Sequence, residues 1–150
     1  MTKLYEQDYY GWANEQSALL RAGNLSAADI ENIAEEIESM GKGEKRELVN
    51  RLIVLLQHLL KWQFQPDMRG RSWEATILVQ RDQIASHLQD NPSLKPKISE
   101  AMREAFRVAR LQAIGETKLP RSLVPLECPY TYEMAMRSDF WPDTAQDAGP

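Results

Sequence analysis

Apolar residues recur at helical spacing along most of the chain. Tyr5, Tyr9, Trp12, Gln16 and Leu19 fall three or four apart, which is one face of a helix, and predict a first helix from about Asp8 to Ala22. Gly23 follows as the left-handed residue that commonly ends one. Ser26 is the expected cap of a second helix, with Asp29 three residues on as a short-acid capping box. Ile30, Ile33, Ile37 and Met40 make its expected buried stripe, and Gly41 and Gly43 are expected to end it. A third helix runs from about Glu44 to Gln65. Its apolar residues from Leu48 to Phe64 cover an arc of roughly 200° at about 100° per residue, about twice what a surface helix needs. This predicts a central helix covered on two or three sides, stopped by Pro66.

Ser72 is the expected cap of a fourth helix reaching about Gln89, with Trp73, Ile77, Ile84 and Leu88 inward. After "NPSLKP", a fifth helix turns Leu94, Ile98, Met102, Ala105 and Ala109 inward and is expected to end at Gly115. Beyond it, Pro120, Pro125, Pro129 and Pro142 stand among apolar residues, so no long helix can form there. This segment reads as an extended strap packed along the bundle, with a short helix starting at Thr131. The fold class is therefore all-α: a bundle of about five helices with a Pro-rich extended C-terminal segment packed along it.

Size and composition fit that picture. The 150 residues suit one domain, expected over residues 1–142, with 143–150 as a disordered tail. Cys128 is the lone cysteine, so no internal disulfide is possible. The N-terminus lacks the apolar core of a signal peptide, and the longest aliphatic run, Leu52 to Leu56, is far below the ~20 residues that span a bilayer. A cytoplasmic protein without membrane association is the expectation. A net charge of −4 argues against nucleic acid as a partner, since phosphate backbones select basic surfaces.

The motifs "YEQDYYGWANEQSALLRAG", "LSAADIENIAEEIESMGKGEKREL", "HLLKWQFQPDMRGRSWEATILVQR", "NPSL", "ETKLP", "CPYTYE" and "DFWP" occur in an order and spacing that resemble a bacterial family catalogued as domain of unknown function twenty-nine. The resemblance covers about Tyr5 to Pro142. It implies a helical fold, and it brings no catalytic residues with it.

Candidate chemistry is sparse. His58 falls in the polar strip of the third helix with Asn50, Arg51, Gln57, Lys61 and Gln65, which a partner helix or water must meet. It reads as a hydrogen-bonded structural histidine, or as a general base or metal ligand. Glu31, Glu35 and Glu38 line one flank of the second helix. A mononuclear metal on Glu35, Glu38 and His58 is conceivable chemistry, but carboxylate-bridged bundles use Glu-x-x-His, and neither His58 nor His87 has a glutamate three residues before it. No resident metal or cofactor is expected. Arg81 lies inside the apolar stripe of the fourth helix, where a guanidinium must find a partner. A buried polar cluster of Glu35, Glu36, Glu38, His58 and Arg81 is the expectation. Arg69, Arg71 and Ser72 before a helix N-terminus make a weak anion-binding candidate. Arg103, Arg107 and Arg110 read as a solvated line softened by Glu100 and Glu104, and Cys128 as a packed, inert thiol.

These signals point away from an enzyme. The leading reading is a helical module that binds a protein partner or itself. The alternative is a small metal-dependent or acid–base enzyme using Glu35, Glu38 and His58 between the second and third helices.

Overall fold

The computed structural model describes residues 2–143, and every regular element among them is helical. The elements are α1 (Thr2–Gln7), α2 (Tyr9–Arg21), α3 (Ile30–Phe64), α4 (Arg71–Asp90), α5 (Ile98–Thr117) and α6 (Tyr132–Met136), with short 3-10 turns at Leu25–Ala27, Pro66–Met68 and Pro92–Lys97. The chain groups into two compact units, the first ending at Gly43 and the second starting at Glu44. Each is described by itself. The expected disordered tail lies, apart from Asp143, outside the described residues.

In the first unit, Asp8 caps α2 by accepting from the Gly11 N–H at 3.0 Å. Gly23 takes the left-handed conformation (φ 74°). Its N–H donates to Leu20 O and the Asn24 N–H donates to Leu19 O, the paired bonds of a Schellman ending. Trp12 and Gln16 are buried, as their shared face predicts. The expected Ser26 cap moves to Asp29. Ser26 sits in the 3-10 turn, while the Asp29 carbonyl accepts the Ile33 N–H and its carboxylate accepts from the Asn32 side chain at 2.8 Å. Trp12 Nε1 also donates to this carboxylate at 3.0 Å, and Gln16 Oε1 accepts the Asp29 N–H at 2.6 Å. Asp29 thus joins the cap of α3 to the buried face of α2.

The second and third predicted helices are one. Gly41 and Gly43 lie inside α3, which runs 35 residues without a break. A helical glycine costs about 1 kcal/mol, but neither is followed by proline, and Lys42, Glu44, Lys45, Arg46 and Glu47 are strong helix formers. The expected stripe at the start of α3 is also corrected. Ile30, Ile37 and Met40 are 52%, 62% and 68% exposed.

In the second unit, the later half of α3 is the core, as its wide apolar arc predicts. Leu48, Leu52, Leu55, Leu56, Leu59 and Leu60 are fully buried, together with Ile77 and Ile84 of α4 and Ala101, Ala105, Ala109 and Ala113 of α5. Ser72 does not cap α4. Gly70 holds the cap position and Ser72 is exposed in the first turn. Gly115 does not end α5, which continues to Thr117 and closes on Lys118 in the left-handed region (φ 59°), its N–H bonded to Ile114 O at 3.0 Å. The α6 helix begins where expected, with Thr131 Oγ1 accepting the Met134 N–H at 3.1 Å.

The strap after α5 buries Val124, Tyr130, Ala135 and Pro142. An extended, proline-rich backbone has no ladder to satisfy its carbonyls, and buried carbonyls require donors. Three arginines supply them. Arg110 of α5 donates to the carbonyls of Arg121, Val124 and Pro125 at 2.9–3.2 Å. Arg81 of α4 donates from Nε to Ala135 O at 2.7 Å and from Nη2 to Phe140 O at 2.6 Å. Arg69 reaches Trp62 O at 2.7 Å and Pro142 O at 3.3 Å.

Candidate functional site

The residues singled out in the sequence have partners other than those expected. Arg81 is buried, as its position in the stripe of α4 requires, but Nε and Nη2 donate to carbonyls of the strap where carboxylates of Glu35, Glu36 or Glu38 were expected, and Nη1 is buried without a hydrogen-bond partner. Its guanidinium also lies 5.3 Å from the Trp141 ring centre, a cation–π contact. Burial pulls its pKa down, opposed by the charge of Asp139. In the first unit, Glu36 accepts hydrogen bonds from the hydroxyls of Tyr5 and Tyr9. These bonds hold the carboxyl below its usual range and push the Tyr5 hydroxyl up to about 12. Tyr5 packs edge-on against Trp12 at 4.6 Å, so the acid closes an aromatic cluster. Glu35 and Glu38 are exposed. Of the anion-binding candidates, Arg69 is committed to the two carbonyls and to a contact with the Trp62 ring, while Arg71 and Ser72 are exposed.

His58 is half-buried, and its Nδ1 lies 2.8 Å from Val54 O one turn back. A carbonyl oxygen only accepts, so Nδ1 carries the hydrogen. Around it, the expected polar strip of α3 is met by α5. Lys61 is buried and donates to Glu116 at 3.0 Å, with its ammonium 5.0 Å from the Trp73 ring centre. Gln65 donates to Thr117 O at 3.2 Å, and buried Gln63 accepts from the Tyr130 hydroxyl at 2.6 Å. This end of the unit is a set of mutually satisfied polar groups, which fixes how α3, α5 and the strap meet.

Below neutral pH, the pH dependence of this arrangement follows from two of its shifted groups. Burial holds the His58 imidazole below its ordinary 6.5, and the bond from Lys61 holds Glu116 below its ordinary 4.5. As pH falls below about 6.5, the unfolded chain protonates His58 while the folded chain resists, so stability falls. Glu116 acts in a lower window: its contribution stands above 4.5 and is lost only as pH drops through its depressed folded value. Urea midpoints measured from about pH 7 to pH 5 are expected to decline, and His58→Gln is expected to flatten that decline. An unchanged slope in the variant would exclude this role.

The cluster that sequence reasoning missed is centred on the other histidine. His87, near the end of α4, is 8% exposed. Its Nε2 lies 2.8 Å from the backbone oxygen of Glu44, and its Nδ1 lies 2.7 Å from Glu47 Oε2. The Glu44 carboxylate is 3.6 Å from Nε2, and Arg51 holds the other Glu47 oxygen at 3.5 Å. One signal was available: Glu44 and Glu47 are three apart and share a helix face. Only the fold brings His87 to them.

A second correction concerns the arginine line of α5. Glu100 and Glu104 do not pair along the helix with Arg103 and Arg107. They turn to Lys45, at 3.0 and 4.0 Å. Arg103 and Arg107 instead edge a groove of about 820 Å³ with Met102, Phe106, Cys128 and Tyr132 in its walls. Cys128 donates to Tyr130 O at 3.2 Å and burial pushes its thiol pKa up, the opposite of what a nucleophile needs.

The fold and these clusters define an all-α protein whose polar side chains mostly tie helices and strap together. No helix among the described residues is long and apolar enough to cross a membrane. The chain belongs to the family described as Domain of unknown function DUF29, which matches residues 4–141, and that description names no activity. No curated protein matches the chain. No solved structure matches it.

Proposed function

We propose that the chain is a non-enzymatic interaction module that pairs with a second copy of itself through the first turns of α3. The observation that carries this reading is the exposed row Ile30, Ile37 and Met40, with half-buried Ile33 beside it. A surface row of large apolar side chains at helical spacing marks a contact surface. The ends of the row favour a second copy. Glu31 lies at its N-terminal end and Lys42 just beyond its C-terminal end. Antiparallel pairing centred between Glu36 and Ile37 sets Ile33 against Met40 and Glu31 against Lys42 of the other copy, with Glu35 and Glu38 facing each other on the same flank. A two-fold interface has this self-complementary form.

Sedimentation equilibrium over a wide concentration range tests the reading. The wild type is expected to dimerise. Ile37→Glu buries a charge at the centre and is expected to weaken the dimer by about 2 kcal/mol or more, roughly 30-fold. Glu31→Lys is expected to weaken it less, and adding Lys42→Glu to restore it, because the double change re-forms the opposite-charge pair. A wild type that stays monomeric at all concentrations overturns the reading.

A further inference from the structure

We propose that Glu44, Glu47 and His87 form a binding site for a divalent transition-metal ion of the zinc class. The argument starts at the imidazole. The Glu44 backbone oxygen can only accept, so His87 Nε2 carries a hydrogen and donates to it at 2.8 Å. A neutral ring then turns the lone pair of Nδ1 toward Glu47 Oε2, 2.7 Å away. Two electron pairs facing at that distance repel, so a positive species belongs between them. A metal ion held by both atoms is such a species.

One ligand atom from each of the three residues lies within 4.8 Å of the others, the Glu44 carboxylate standing 3.6 Å from Nε2, so its side chain must swing toward Nδ1 to share the ion. Two ligands about 2.0–2.2 Å from a tetrahedral zinc ion sit about 3.3–3.6 Å apart, so the Nδ1–Oε2 pair, at 2.7 Å, needs to open by about 0.6–0.9 Å. The Glu44 and Glu47 side chains are 50% and 46% exposed, free enough to make that adjustment. The hydrogen bond from Nε2 to a backbone carbonyl is the arrangement that orients a metal-ligating histidine and fixes its tautomer. Arg51 holds Glu47 by its other oxygen, which leaves Oε2 for the ion. Lys45, next to Glu44 in sequence, is drawn off by Glu100 and Glu104 of α5. One imidazole nitrogen with two carboxylates suits Zn²⁺, Mn²⁺ or Fe²⁺ better than Mg²⁺ or Ca²⁺, which prefer oxygen alone. The protein supplies three ligands from two helices, and the remaining positions would go to water. The ion would then pin α4 to the middle of α3.

Isothermal titration of chelator-stripped protein with ZnCl2 tests the site, alongside thermal unfolding with and without the metal. The wild type is expected to bind one equivalent and to unfold at a higher temperature when loaded. His87→Gln and Glu47→Gln are each expected to weaken binding at least tenfold and to abolish the thermal shift. Should His87→Gln fail to fold, Glu44→Gln and Glu47→Gln decide, since both side chains are half-exposed. Absence of a one-equivalent site in the wild type, or equal binding by the glutamate variants, overturns the proposal.

Discussion

Arg81→Leu is expected to destabilise the protein by about 3–5 kcal/mol. The side chain is 6% exposed and donates to two carbonyls five residues apart, Ala135 O and Phe140 O. Leucine fits the apolar stripe of α4, so the direct packing loss is small. The cost comes from the strap, where two carbonyls lose their shared donor, at about 1–3 kcal/mol each. The cation–π contact with Trp141 is lost as well. Replacing a buried ion pair as a whole by apolar groups can be neutral, but removing one side of a buried polar contact is not. Arg81→Lys is expected to fall between, because an ammonium is a point donor and cannot span both carbonyls as the guanidinium fork does. Urea denaturation followed by tryptophan fluorescence checks this, since Trp141 reports on the strap directly. A leucine variant within about 1 kcal/mol of wild type would show that the strap holds by apolar packing alone.

How much of this was legible in the sequence depends on whether a feature is set locally. The left-handed Gly23, the short helix opening at Thr131 and the wide apolar arc from Leu48 to Leu60 are local or strongly periodic, and the structure keeps all three. The glycine pair in α3 misled because glycine is a helix stop only where the next residues favour another conformation, and here they favour helix. The row from Ile30 to Met40 misled for a different reason. Periodicity reports that a face exists, whereas its burial depends on what the rest of the chain places against it. Arg81 divides the same way: the stripe of α4 predicts its burial, yet the choice between carboxylate and carbonyl partners is settled 54 and 59 residues away in the strap. His87 was the harder case. Its neighbours Glu44 and Glu47 belong to another helix, and no spacing rule along one chain links positions 43 residues apart.

The two halves of α3 invite a direct comparison, and it carries the other large effect. Leu56→Ala is expected to cost about 3 kcal/mol, within the 2–5 kcal/mol typical of a leucine truncated in a packed core. Leu56 is fully buried in a cluster drawn from α3, α4, α5 and the strap, so the walls cannot close over the missing methyl groups without disturbing several elements. Met40→Ala removes a similar volume sixteen positions earlier on the same helix, from a side chain that is 68% exposed. In a monomer it is expected to change stability by less than about 0.5 kcal/mol. Protein concentration separates the two further. The loss at Leu56 belongs to the fold of one chain and should persist at any dilution. Pairing of two copies through Ile30, Ile37 and Met40 stabilises each by mass action, so any deficit at Met40 should grow with concentration. A Met40 deficit of core size that ignores dilution would place that side chain inside the fold of a single chain and remove the surface on which the pairing rests.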